Sequence, residues 1–145
     1  MPTTQGRPEQ MQAFLERKPD GALLMLNLYK FKDKAEYPDG RETQLSGAEA
    51  YALFADGVVQ LLEARGGRVA FAGATHALII GDGELAWDAL VILEHASFEA
   101  FVALTQSPDY AALSVHRDAG LAHQVLINCL SGDEVPVAFG ASRRP

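Results

Sequence analysis

The segment SGAEAYALFADGVVQLLEARGGRV, Ser46 to Val69, spells out a helix with its start, its stop and the first residues of a following strand. Ser46-Gly-Ala-Glu49 is a capping box, in which the serine hydroxyl and the glutamate carboxylate each accept from a backbone N–H that the first turn leaves unpaired. Tyr51, Phe54, Val58, Leu61 and Leu62 then recur at i, i+3, i+7, i+10 and i+11, one apolar stripe suited to packing on a sheet. Gly66-Gly67 ends the helix, and Arg68 opens a stretch of β character.

Upstream, Ala22 to Phe31 is short, aliphatic and aromatic, and bounded by turn residues, which predicts a buried strand. Lys32 to Leu45, polar and broken by Pro38-Asp39-Gly40, joins that strand to the helix as a long loop. Before the strand, Pro8 to Arg17 reads as a leading helix with Met11, Phe14 and Leu15 on one face, and Pro19-Asp20-Gly21 stops it. Downstream, Arg68 to Ile80 reads as strand interrupted at Gly73. Asp82-Gly83 supplies hairpin turn chemistry, and Trp87 to His95 is the next strand. Ser97 caps a short helix with Phe98, Phe101 and Leu104 inward. Ser107-Pro108-Asp109 restarts helix with proline at its favoured first position, through Tyr110, Leu113 and Arg117 to about Asp118. His123 to Leu130 is the last strand.

The order β-α-β-β-α-β, two crossovers around a hairpin, predicts a four-stranded antiparallel sheet with its helices on one face, the ferredoxin-like arrangement. The other face then needs a cover, and a second copy of the chain is the commonest one. The expectation is one α+β domain over 1–145, with its core at 22–130 and a tail at 131–145, paired into a dimeric α/β barrel.

Composition bounds the function. At 145 residues, with 48% hydrophobic and 21% charged residues, the chain suits one soluble domain with an apolar core. A net charge of −7 with only 12 Lys and Arg argues against nucleic acid and against an anionic membrane. Met1 to Arg7 holds no apolar h-region, and the longest apolar stretch, Ala22 to Leu28, contains Asn27 and is far short of a membrane span, so neither signal peptide nor anchor is expected. Cys129 is the single cysteine, so no intrachain disulfide is possible and a reducing cytoplasm is the expected setting.

Gly66-Gly67-Arg68, Trp87-Asp88, Ser107-Pro108-Asp109-Tyr110 and Arg117 together resemble the family called domain of unknown function 1330, over roughly Leu23 to Cys129. That family is similar to the dimeric α/β barrel superfamily. The resemblance implies a dimer, and the superfamily includes cofactor-free monooxygenases, lactone isomerases and haem enzymes, so it constrains the fold more than the chemistry.

Splitting each strand by parity locates candidate chemistry. Leu24, Leu26 and Leu28 oppose Leu23, Met25, Asn27 and Tyr29; Val125, Ile127 and Cys129 oppose Gln124, Leu126 and Asn128; Val69 and Phe71 oppose Arg68; and Ala89, Val91 and Leu93 oppose Asp88, Leu90, Ile92 and Glu94. If the more apolar parity packs on the helices, Asn27, Tyr29, Arg68, Glu94, Gln124 and Asn128 project into the barrel. An apolar cleft with a few convergent polar groups suits a small organic ligand, with Glu94 or His76 as the general base and Asn27, Tyr29, Arg68 or Asn128 holding the substrate. This first hypothesis is a cofactor-free enzyme, monooxygenase-like or isomerase-like. The second is a non-catalytic binding or interaction dimer in which the same residues only line a cavity or an interface.

Taken singly, most of these polar residues are better explained by hydrogen bonding across a dimer interface. Arg117 reads as a helix-end salt bridge, and Trp87 and Tyr110 as core or interface aromatics. His76, His95, His116 and His123 lack metal-ligand spacing, and His116 reads as a helix-surface residue before it reads as a haem ligand. No metal or cofactor is expected. Gly81-Asp82-Gly83 is a turn, since no helix and no Lys-Ser/Thr pair follows it.

Overall fold

A computed structural model describes residues 6–130; the 131–145 segment lies outside the described residues. The elements run α1 (Pro8–Arg17), β1 (Leu23–Phe31), α2 (Gly47–Ala64), β2 (Arg68–Ala74), β3 (Ala89–His95), α3 (Phe98–Thr105), α4 (Pro108–Gly120) and β4 (Leu121–Cys129). The strands form one sheet in the order β2-β3-β1-β4, every pair antiparallel. This is the ferredoxin-like α+β fold.

Local chemistry sets the helix starts. Ser46 Oγ accepts from the Glu49 N–H at 3.0 Å while Glu49 Oε1 accepts from the Ser46 N–H at 2.8 Å. Ser97 and Ser107 cap α3 and α4 through the N–H groups of Ala100 and Tyr110. The α2 stripe buries Tyr51, Phe54, Val58 and Leu62, and the first three cluster with Tyr29 and Leu121 from the sheet. Phe14 and Leu15 of α1 pack on Leu23, Met25, Phe98 and Phe101, so the leading helix closes one end of the core.

The Lys32–Leu45 loop is tied down. The N–H groups of Lys32 and Glu36 donate to the carbonyls of Gly120 and Ala119, taking up acceptors that the end of α4 leaves open. Ala35 and Tyr37 are buried against Ala50 and Ala119. This junction needs bare backbone: a Cβ on Gly120 would run into the Gly47 carbonyl, and one on Gly47 into the Lys32 carbonyl.

The expected boundaries shift at the hairpin. β2 stops at Ala74 instead of running to Ile80, and β3 starts at Ala89 instead of Trp87. Thr75 N–H still donates to the Asp88 carbonyl, and beyond that pair the chain leaves the sheet as an irregular arm. The irregularity within β2 lies between Val69 and Phe71, not at Gly73. β4 begins at Leu121, directly after α4.

The strand register also corrects the assignment of faces. Leu23, Met25, Asn27 and Tyr29 are the buried parity of β1, at 0%, 3%, 4% and 4% exposure, so this parity faces the helices. Directly paired residues share a face, and Met25 pairs with Asn128 and Tyr29 with Gln124. Asn27, Tyr29, Gln124 and Asn128 therefore lie on the helix side, opposite to expectation. Arg68 and Glu94 do lie on the helix-free face, in register with Leu24. Both parities of β1 are apolar enough to be buried, so polarity alone could not choose between them; the Tyr29 ring, 4.7 Å from that of Tyr51, marks the side the helices take. The bulge also moves Phe71 onto the helix-free face, opposite Ile92.

Candidate functional site

The polar residues of the sheet divide between the two faces. On the helix face they form a connected network that begins at buried Asn27, in the middle of β1. Its Nδ2 donates to the carbonyls of Met25 and Val91, at 3.2 and 3.4 Å. Its Oδ1 accepts from Gln124 Nε2 at 3.0 Å, and Gln124 Oε1 accepts from Arg117 Nη2 at 2.6 Å. Arg117 Nη1 in turn donates to Asp118 Oδ1 at 2.9 Å. The chain of bonds runs from the centre of the sheet to the last turn of α4, and it places a guanidinium with only 14% side-chain exposure between the helix layer and the sheet.

Tyr29, Tyr51 and Tyr110 all feel the charge of this cation. The Tyr29, Tyr51, Phe54 and Tyr110 rings follow one another at centroid distances of 4.7, 5.3 and 5.6 Å. Burial pushes the Tyr29 hydroxyl up to about 12 and raises those of Tyr51 and Tyr110, while the Arg117 charge pulls all three back. The phenols therefore stay protonated and neutral near pH 7. At the β4 edge, beside this network, Leu126 lies on the helix face and is 48% exposed. Asn128, two residues further along β4, donates to the Leu24 carbonyl at 3.3 Å.

The helix-free face is apolar at its centre, with Leu26, Leu28, Leu90, Ile92 and Ile127 in register. Ion pairs mark its two ends. Arg68 Nη2 meets Glu94 Oε1 at 3.2 Å at one end, and Lys30 Nζ meets Asp88 Oδ1 at 3.3 Å at the other. Cys129 is on this face, opposite Leu24, and His123 is opposite Lys30. His76 is exposed in the arm after β2, at the far end of the sheet from Glu94, so the two candidate bases do not converge. Of the substrate-holding candidates, Arg68 is with Glu94, while Asn27, Tyr29 and Asn128 are on the other side of the sheet.

The remaining histidines are also apart. His95 is 4% exposed against the edge of Phe101, and burial lowers its pKa to about 4. His116 Nδ1 lies 2.7 Å from the Tyr37 hydroxyl. Among the described residues no three His, Cys, Asp or Glu side chains cluster as metal ligands. No helix among them is long and apolar enough to cross a membrane.

The sequence reads Arg117 as a helix-end salt bridge and Tyr110 as a core or interface aromatic, and the Asp118 pair and the packing of Tyr110 on the core agree, but neither reading reveals the link from Arg117 through Gln124 to Asn27. One signal was available: Asn27 is a lone amide inside an otherwise apolar central run, and a buried amide requires partners.

Topology and site together define a ferredoxin-like α+β protein with a buried arginine–amide network on its helix face. The chain belongs to the DUF1330 family, domain of unknown function, whose model matches residues 41–128. It is similar to the crystal structure of the methylated RPA0582 protein, with 34% identity over 88% of this chain and 93% of that one and a TM-score of 0.81. A second structure, the RPA0582 protein of unknown function from Rhodopseudomonas palustris, shares 30% identity over 89% and 96% of the two chains at a TM-score of 0.80. The At3g17210 protein of Arabidopsis thaliana shares the fold at 13% identity, covering 81% of this chain and 99% of that one, with a TM-score of 0.50. No curated protein matches the chain.

Proposed function

We propose that this protein is a homodimer whose two helix-free faces pack together, and that each subunit binds a small, oxygen-bearing organic molecule beside the Asn27–Gln124–Arg117 network. The observation that supports this reading is the contrast between the two faces. An apolar sheet face left in water forgoes about 25 cal/mol for each Å² that a partner would bury, and a second copy presents the same surface. The helix face instead gathers amide, guanidinium and phenol groups, with the amides and guanidinium oriented by one another, near the half-exposed Leu126 at the β4 edge. Amide and guanidinium donors suit carbonyl and carboxylate oxygens. The single cysteine is consistent with a reducing cytoplasm as the setting.

The catalytic reading, a cofactor-free monooxygenase-like or isomerase-like enzyme with Glu94 or His76 as base, has less support. Glu94 is held by Arg68, His76 stands in solvent away from it, and Asn27, Tyr29 and Asn128 turn to the other face. A thermal-shift panel of small carboxylic acids and amides separates the two readings, because a ligand of the native state raises the melting temperature. A compound that stabilises the wild type should lose its effect in Gln124→Leu and keep it in Glu94→Gln. The opposite pattern would move the site into the barrel and overturn the proposal.

A further inference from the structure

The hydrogen bonds of the helix face run in a fixed direction, and that direction decides what the face still offers. Asn27 Nδ2 lies between the carbonyls of Met25 and Val91, so its amide can be turned only one way, with Oδ1 toward Gln124. An acceptor there draws the Gln124 nitrogen and leaves the Gln124 oxygen to face Arg117, whose guanidinium only donates. Each amide is thus locked by its neighbour. Gln124 Nε2 carries two N–H groups and spends one on Asn27; among the described residues the second has no partner.

Asn128 is oriented in the same way, with the opposite result. Its Nδ2 donates to the Leu24 carbonyl at 3.3 Å and to the Cys129 carbonyl at 3.5 Å, so the group left without a partner among the described residues is the acceptor Oδ1. That oxygen is not shut in, since the one buried side-chain atom without a partner among those residues is His123 Nδ1. Gln124, Leu126 and Asn128 stand at i, i+2 and i+4 of β4 and share the helix face. A spare donor and a spare acceptor are therefore carried by residues roughly 13 Å apart along the strand, with half-exposed Leu126 between them.

The charge of this face is already balanced. Arg117 is paired with Asp118, the nearby phenols are neutral, and the whole chain carries −7. A carboxylate brought here would give up water for a cation it has to share, and would meet another oxygen at Asn128.

We infer that the ligand of this face is a neutral, elongated molecule, with a carbonyl oxygen that accepts from Gln124 Nε2, an apolar middle over Leu126, and a hydroxyl or N–H that donates to Asn128 Oδ1. The inference rests on the helix-face site proposed above and narrows its ligand to uncharged carbonyl compounds with a donor at the opposite end.

Three probes of one chain length, octanoate, octanamide and 8-hydroxyoctanamide, test this when titrated at millimolar concentration against the isotope-labelled full chain and followed by NMR. Octanamide should bind at least about tenfold more tightly than octanoate. The terminal hydroxyl should add about threefold to tenfold, the worth of one hydrogen bond. In Asn128→Leu the hydroxyl gain should vanish while octanamide binds as before, and in Gln124→Leu both amides should weaken. Because Gln124→Leu also strips Asn27 and Arg117 of a partner, the comparison of ligands in the wild type and in Asn128→Leu decides the matter if that variant does not fold. Octanoate binding as tightly as octanamide, with Gln124 still needed, would overturn the neutral ligand and leave the helix-face site standing. A hydroxyl gain that survives in Asn128→Leu overturns the inference too, as does binding by none of the three. Binding that Gln124→Leu leaves unchanged and Glu94→Gln abolishes would overturn the site as well.

Discussion

At the scale of single residues, His95 and Gly120 show how much one side chain, or its absence, decides. His95 is held neutral by burial, with a pKa of about 4 against the ordinary 6.5. Between those values the unfolded chain takes up a proton that the native state refuses, so stability is full above pH 6.5 and falls as the pH drops toward 4. The loss amounts to at most about 3 kcal/mol. Urea unfolding of the wild type and of His95→Gln at pH 7.5, 5.5 and 4.5 should show the steeper decline in the wild type; parallel declines would disprove it. Gly120 has no room for a methyl group between the Gly47 carbonyl and the backbone of Tyr51. Gly120→Ala should therefore cost about 1–3 kcal/mol through overpacking alone, read as a lower denaturation midpoint.

At the scale of elements, the helices follow from short local signals. The Ser46–Glu49 box, the Ser97 cap and the Ser107-Pro108 start each act within one turn, and each stands where the sequence predicts it. Ser46→Ala should cost about 1 kcal/mol, and Ser46→Asp should recover most of it, since aspartate accepts the same N–H. A Ser46→Ala variant with an unchanged urea midpoint would show that the loop anchoring at Lys32–Gly120 alone holds this helix start. The strand ends were less legible. Leu78-Ile79-Ile80 has the composition of a strand, yet pairing in a hairpin depends on what stands opposite, and beyond Thr75 and Asp88 nothing continues the ladder.

At the scale of the whole molecule, the arrangement turns on which side of the sheet the helices occupy. The helix-free face has Leu26 near its centre, flanked by Ile92 on β3 and Ile127 on β4. Leu26→Lys places a charge in the middle of the proposed dimer contact while leaving the helix-packed core untouched. It should yield a folded monomer in sedimentation, with dimer affinity lowered by a factor of a hundred or more, as roughly 3 kcal/mol of lost burial implies. A variant that dimerises as the wild type does would show that the subunits meet elsewhere. The candidate site belongs to this scale too, since Asn27, Arg117 and Gln124 come from β1, α4 and β4 and meet only when the helix layer closes on the sheet.

By itself the amino-acid sequence determined the order of elements, the helix starts, the α2 stripe and the ferredoxin-like topology, because capping, periodicity and turn chemistry act between residues a few positions apart. It also placed Arg68 and Glu94 correctly on the helix-free face. Only the tertiary structure decided the facing of Asn27, Tyr29, Gln124 and Asn128. In β1 both parities are apolar, and the choice between them is made by the packing of Tyr29 on Tyr51 and by strand pairing, which are contacts between distant segments. The same reason moved the polar centre from the barrel to the helix face.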